Sequence, residues 1–274
     1  MVLITGAAGH LGNTLARELL ARGQKVRALV LPGEDCSSLA GLELERVEGD
    51  VLEPRSLETA LRGVDVVYHL AGLISVQPGR DQRLREVNVL GTWNVVRAML
   101  AAGTRRLVYV SSIHALARPP AGAPIDESAP FDPHNLEGEY DRSKADASLI
   151  VQQARDLEAV IVCPTGIIGP FDFRESEMGR LLRSWLAPGL HPIVDGRFDF
   201  VDVRDVARGL VLAGERGRPG QTYLLSGSLL SLAELRRLVG EALGRPLAVL
   251  TLPHWLALAA TPLAALAGRL AGRE

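Results

Sequence analysis

The chain has 274 residues, of which 47% are hydrophobic and 23% charged, and a formal net charge of −2 at pH 7. Such a chain can bury a large core, and its composition is that of a folded globular protein. No cluster of Lys and Arg interleaved with aromatics occurs, which argues against nucleic acid as a partner, and Cys36 and Cys163 lack metal-ligand spacing, so no metal is expected.

The first element is the apolar run Val2–Thr5. It is too short for the hydrophobic part of a secretory leader, so a cytoplasmic location is expected. It enters the turn Thr5-Gly6-Ala7-Ala8-Gly9-His10-Leu11-Gly12, which opens a helical stripe of Leu11, Leu15 and Leu19. In a strand–turn–helix unit Gly6 permits the tight turn, Gly9 a close approach to a pyrophosphate, and Gly12 close packing of helix on strand. Unpaired N–H groups at the helix start then face the phosphates, with Ala8, His10 and Leu11 in the same cradle. The spacing is G-x-x-G-x-x-G rather than the commoner G-x-G-x-x-G, and its setting between strand and helix is what favours a dinucleotide.

Further strand-like runs follow at Lys25–Val30, Glu43–Glu48, Val64–Leu70, Arg106–Val110 and Ala159–Cys163. They are rich in Val, Ile and Leu and mostly do not alternate, as expected of a parallel sheet covered on both faces. With the helical pattern of Val87 through Leu100 between them, they imply βαβ units and an α/β fold with a doubly wound parallel sheet. Ligands of such sheets sit at the strands' carboxyl ends. There Asp50 and Val51 would meet an adenine ring, and Leu70, Ala71 and Gly72 the middle of the cofactor. A helix cap for Asp50 and a plain turn for Gly72 are the competing readings. After the second strand an acid would accept from the ribose 2′-hydroxyl and an Arg would meet a 2′-phosphate. Leu31 stands at that position and does neither. Glu34 and Asp35 could fold back to the ribose or form a solvated turn. The cofactor is therefore NAD or NADP, the missing Arg leaning toward NAD.

Ala117–Glu139, rich in Pro, Gly and acids, reads as a long surface loop leading into a helix with Tyr140 and Lys144. Four residues apart, phenol and ammonium share one helix face. Lys144 is one of only two lysines, beside 28 arginines; the other is Lys25. A compact ammonium kept here suits a site that tunes a neighbour's pKa. Cys163 lies in an apolar run and reads as a small core residue. Beyond Pro170 the pattern changes to helices with short strands near Ile193, Phe200 and Tyr223. This suggests a core over 1–165 and a smaller mixed region over 166–274, interleaved with it. The apolar stretch Trp255–Ala267, broken by Pro262, is too short to span a bilayer and reads as a core or interfacial helix.

The chain resembles the extended short-chain dehydrogenase/reductase family in TGAAGHLG (5–12), GDV (49–51), HLAG (69–72), VNVLGT (87–92), VYVSSI (108–113), YDRSK (140–144), CPTGIIGP (163–170) and DFVDVRDVA (199–207). Among its members it looks most like the dihydroflavonol reductase and 3β-hydroxysteroid dehydrogenase branch. The resemblance implies a Rossmann sheet with a small C-terminal substrate region. It also implies an NAD(P)-dependent dehydrogenase or reductase with Tyr140 as general acid/base. Lys144 would lower the phenol's pKa and bond the nicotinamide ribose, and Ser112, or its neighbour Ser111, would hold the substrate oxygen. Asn88 matches a helix asparagine of the family and is expected among the cofactor contacts, though it is structural as readily as catalytic. Pro164, Thr165, Gly166 and Ile167 would run beside the nicotinamide amide.

Members that act on sugar nucleotides carry an Arg immediately before the D-F-V segment, where this chain has Phe198. Arg197 is one position off, which in an extended strand turns it to the other face. Phe171, Phe173, Phe198 and the apolar stretch Leu252–Leu270 suggest instead a pocket for a mainly apolar small molecule whose hydroxyl and carbonyl forms are interconverted. The alternatives are a nucleoside-diphosphate-sugar epimerase or dehydratase with tightly bound NAD, and a non-catalytic NAD(P)-sensing protein. The helices expected over Asp81–Ala102 and Tyr140–Leu157 offer faces on which two copies could pair as a homodimer.

Overall fold

The structure is a computed structural model and describes residues 1–74, 81–120, 122–187, 189, 191–194 and 196–253. The apolar stretch Trp255–Ala267 lies outside the described residues. Strands β1 (Val2–Thr5), β2 (Val26–Val30), β3 (Glu45–Glu48), β4 (Val66–His69), β5 (Arg106–Val110) and β6 (Glu158–Pro164) alternate with helices α1 (His10–Ala21), α2 (Pro54–Ala60), α3 (Asp81–Arg85), α4 (Gly91–Ala102) and α5 (Glu139–Gln153). Then come β7 (Gly166–Ile168), α6 (Glu177–Ser184), β8 (Pro192–Val194), β9 (Arg197–Asp202), α7 (Val203–Arg216), β10 (Thr222–Leu225), β11 (Ser228–Ser231), α8 (Leu232–Ala242) and β12 (Leu250–Leu252).

One sheet runs β3-β2-β1-β4-β5-β6-β10, and every neighbouring pair is parallel. The order turns back between β1 and β4, so the crossovers leave in opposite directions and open a crevice at the carboxyl ends. Alternate residues of the inner strands feed two separate cores. Leu3, Val67, Leu107 and Ile161 pack with Leu57, Val95, Met99 and Val151 of α2, α4 and α5. Ile4, Ala28, Val108 and Val160 pack with Leu15, Leu19, Val206 and Leu210 of α1 and α7. A strand buried on both faces has no polar side to show, which is why these runs do not alternate.

The chain divides into one unit of Met1–Arg174 with Val201–Ser226 and another of Glu175–Phe200 with the residues from Gly227 onward. The strand expected near Tyr223 is β10, which covers the edge of the large sheet in register Thr222↔Ile161 through Leu225↔Pro164. Its crossover helix is α7, whose apolar stripe belongs to the second core. In the smaller unit β11 pairs antiparallel with β9 and β12 parallel with β8. There α8 opens with a capping box in which Ser231 and Glu234 bond each other's backbone N–H.

Between α3 and α4 the helix is not uniform: Glu86–Leu90 widen into a π turn. Such turns insert one extra residue and redirect a side chain, here Asn88. In the long loop before α5, Ala117 N–H donates to Pro130 O and Asp132 N–H to Ala115 O. Among the described residues no helix is long and apolar enough to cross a membrane.

Candidate active site

Gly6 sits at φ 69°, and a Cβ there would stand 2.8 Å from Ala71 N. A Cβ at Gly12 would meet Gly6 O at 2.1 Å, so the helix can lie this close to the turn only with glycine. The start of α1, at Gly9, has no side-chain cap and no acid in its first turn. Its first N–H groups and positive dipole end stay open to an anion. The cradle fits a dinucleotide's pyrophosphate. His10, Leu11 and Gly12 supply the first turn, while the His10 ring is turned aside to Pro170 O at 2.9 Å.

Behind this cradle a directed chain of hydrogen bonds ties β1 to β4. Ala71 N–H donates to Thr5 Oγ1 (3.1 Å), Thr5 Oγ1 lies 2.7 Å from His69 Nδ1, and His69 Nε2 lies 3.0 Å from Thr92 Oγ1. Thr92 spends its proton on Asn88 O at 2.7 Å, so it must accept from His69. His69 is thereby the neutral Nε2–H tautomer, and its Nδ1 accepts from Thr5. Burial, aided by the Lys144 charge, pushes its pKa down to about 3. The sequence reading gave Thr5, His69 and Thr92 no role. A histidine closing a buried apolar strand was the available signal.

At the end of β5 stand Ser111 and Ser112, both buried. Ser148 Oγ donates to Lys144 O (2.7 Å) and so accepts the proton of Ser111, 2.7 Å away. Ser112 instead accepts from His114 N–H at 3.2 Å, which leaves its own proton to give. That hydroxyl lowers the pKa of the half-buried Tyr140 phenol, but burial outweighs it and pushes the value up to about 12. Lys144 is 6% exposed; its Nζ donates to Val110 O at 2.7 Å and lies 4.8 Å from the Tyr109 ring centroid. Burial pushes the Lys144 pKa down to about 8. The ammonium is turned to a strand-end carbonyl, and desolvation governs the phenol.

Asn88, expected as a cofactor contact, is 1% exposed and spends both amide protons inside the protein. They go to Leu73 O and Ser143 Oγ, each at 3.0 Å, while its oxygen accepts from Leu73 N–H at 2.7 Å. Ser143 in turn donates to Tyr140 O, so Asn88 braces the turn that carries the phenol. Asp50 accepts from Leu52 N–H in its own turn, Val51 is buried, and Leu31 is 45% exposed with no polar group to offer. Leu70 and Ala71 are half-buried and Gly72 is exposed, all at the carboxyl end of β4. Pro164 closes β6, Thr165 N–H donates to Leu225 O at 3.0 Å, and Gly166 and Ile167 begin β7. In the smaller unit Arg197 donates to Leu229 O at 3.2 Å, while Phe198 is 52% exposed with its ring 6.2 Å from that of Phe200. Among the described residues no group of His, Cys, Asp and Glu could hold a metal. Cys163 is fully buried.

The sequence profile of the NAD dependent epimerase/dehydratase family matches residues 2–226. Sterol demethylase protein B of Methylococcus capsulatus is 39% identical over 255 residues, covering 92% of this chain and 77% of that protein. A 4-hydroxy-2-methyl-3-oxo-4-farnesyl-3,4-dihydroquinoline-1-oxide ketoreductase of Stigmatella aurantiaca is 32% identical over 273 residues, covering 95% of this chain and 78% of the relative. Among solved structures, the dTDP-glucose 4,6-dehydratase DesIV of Streptomyces venezuelae, a double mutant with NAD and DAU bound, superposes with a TM-score of 0.79. It is 26% identical, covering 92% of this chain and 84% of that one.

Proposed function

The chain belongs to the NAD dependent epimerase/dehydratase family, and on that premise we propose that it reduces a carbonyl on a mainly apolar small molecule, using Ser112, Tyr140 and Lys144. The observation that carries this reading is a buried lysine, its pKa brought down to about 8, one helical turn beyond a phenol that interacts with the Ser112 hydroxyl. Perturbed groups gathered at the carboxyl end of a parallel sheet, where ligands of such sheets bind, mark a candidate site for proton transfer.

The nicotinamide cofactor, when bound, supplies the hydride. The protein's part is to hold both reactants and move one proton. Tyr140, protonated throughout the neutral range, gives its proton to the carbonyl oxygen as negative charge develops there. Ser112 donates a hydrogen bond to the same oxygen and fixes it against the phenol. Ser112 is favoured over Ser111, whose proton goes to Ser148 as Ser148 donates to Lys144 O. Lys144 has three N–H donors and gives one to Val110 O, leaving two for ribose hydroxyls. Gly6, Ala8, Gly9, His10, Leu11 and Gly12 would hold the pyrophosphate, Asp50 and Val51 the adenine, and the Pro164–Ile167 segment the nicotinamide amide.

An apolar substrate is favoured by Phe198 standing where sugar-nucleotide enzymes carry an Arg, and by Arg197 bonding a backbone carbonyl instead. The names of the sterol and farnesyl-quinoline relatives point the same way. Turnover assays with NADH and NADPH against apolar ketones and sugar nucleotides test the reading. Reduction of apolar ketones is expected, and a Tyr140→Phe variant should lose about 10²- to 10⁴-fold in kcat while its cofactor Kd holds. Turnover of UDP- or dTDP-sugars alone, with NAD retained through purification, would identify an epimerase or dehydratase instead.

A further inference from the structure

Lys144 is buried, yet among the described residues no carboxylate pairs with it. The acids of its own helix are spent elsewhere. Glu139 and Asp146 pair with Arg85, and Asp141 faces His114 at 3.4 Å. A buried charge without a counter-ion persists only where other groups replace the water it has lost. Two groups do so here. Nζ donates to Val110 O, and the Tyr109 ring lies beneath it with its centroid 4.8 Å away. A cation within about 6 Å of an aromatic face is attracted by the ring quadrupole, the more so where water is excluded.

The strand fixes that ring in place. Tyr109 and Ser111 stand two apart on β5 and so point to one face, the face on which Ser111 meets Ser148 of α5. Tyr109 is 0% exposed and belongs to the first core, with Val95, Met99 and Ala145. Its hydroxyl completes no hydrogen bond, so hydrogen bonding is not what keeps a tyrosine here. Burial pushes its pKa well up, and the ring stays uncharged. The other groups facing the ammonium are neutral as well. His69 of β4 holds no proton beyond its neutral form, and burial pushes the Cys163 thiol of β6 up to about 12. Tyr140 is protonated, and Gly72, where a Cβ would stand 3.8 Å from Nζ, brings no side chain.

We infer that Tyr109 is a positioning residue of this site, its ring face keeping the Lys144 ammonium charged and fixed against Val110 O, with two N–H groups left for the cofactor. The ring stabilises the charged form alone, so weakening its negative face lowers the pH at which Lys144 loses its proton. Cofactor binding then fails at a correspondingly lower pH. This last step rests on the assignment of Lys144 to the nicotinamide ribose proposed above.

Lys144 and the exposed Lys25 are the only two lysines, so isotope-labelled lysine gives two side-chain NMR signals, assigned by Lys25→Arg. Their titration in the full-length protein reads Lys144 directly. Tyr109→Phe keeps the ring face and should leave the Lys144 midpoint where it is. A trifluorinated phenylalanine at the same position keeps nearly the same shape but cancels the negative face. It should lower the midpoint by about 0.5 to 1 pH unit. By calorimetry at about pH 8 it should bind NADH about 3- to 10-fold more weakly than Tyr109→Phe does. A ring that merely fills space would leave the midpoint unmoved on fluorination, and that result would overturn the inference. So would a midpoint displaced as far by Tyr109→Phe as by fluorination. A lowered midpoint with NADH binding unchanged at every pH would instead overturn the assignment of Lys144 to the ribose.

Discussion

Lys144 shows what the site costs. Its ordinary pKa of 10.5 is brought to about 8 in the folded protein by burial. Between those values the unfolded chain binds a proton that the folded chain has released, so stability rises as pH climbs through the window. The charged form is penalised by about 3 kcal/mol at neutral pH. A Lys144→Met variant loses the bond to Val110 O but no longer buries a charge. It should be more stable than the parent at pH 7 by about 2 kcal/mol, with the difference closing by pH 10.5. Denaturant unfolding at both pH values checks this, and equal stability at pH 7 would mean that the ammonium is not desolvated. The pair of Tyr140 and Lys144 was legible in the sequence because lysine is rare in this chain. The direction of the ammonium was not, because Val110 O belongs to a strand 34 residues away. The same holds for Glu34, whose partner Arg174 is 140 residues distant.

Among the elements, the six strands from Val2 to Cys163 could be read to within two residues at each end, since burial on both faces makes the inner ones short apolar runs; β3, at the exposed edge, is the exception. The π turn of Glu86–Leu90 could not. It interrupts the helical stripe by a single residue, and within it Asn88 makes its bonds to Leu73 and Ser143. Those bonds join the chain after β4, the bend before α4 and the first turn of α5. Arg85 adds a second tie, donating to Glu139 at 2.9 Å and Asp146 at 2.8 Å. Both phenol and ammonium are thus held by an element braced from its neighbours. Asn88→Ala leaves the backbone of Leu73 without its partners and should cost about 2 kcal/mol in chemical denaturation. A loss below about 0.5 kcal/mol would show that the brace carries no weight.

In the whole molecule, Leu90, Trp93 and Leu100 lie along one side of the α4 region and are each 44–48% exposed, with the Arg97 guanidinium 5.8 Å from the Trp93 ring centroid. An apolar stripe of this kind on an outer helix is suited to pairing with its own copy. Sedimentation should give a mass of about twice 29.4 kDa, and Trp93→Glu should return it to one chain's worth. A monomeric parent protein would remove this face from consideration. What the sequence hid at this scale is the path of the chain. The tract near Tyr223 looked like part of the smaller unit because it follows residues 175–200, yet it completes the large sheet.

That detour governs the order of events on the ribosome. The ribosome must deliver residues 175–200, which belong elsewhere, before α7 and β10 emerge to cover β6. Until then Glu158–Pro164 presents its amides and carbonyls along an open, strongly apolar border, the kind of template on which other chains stack. Nascent polypeptides that stall within that interval carry their greatest tendency to clump, whatever the strength of the finished protein.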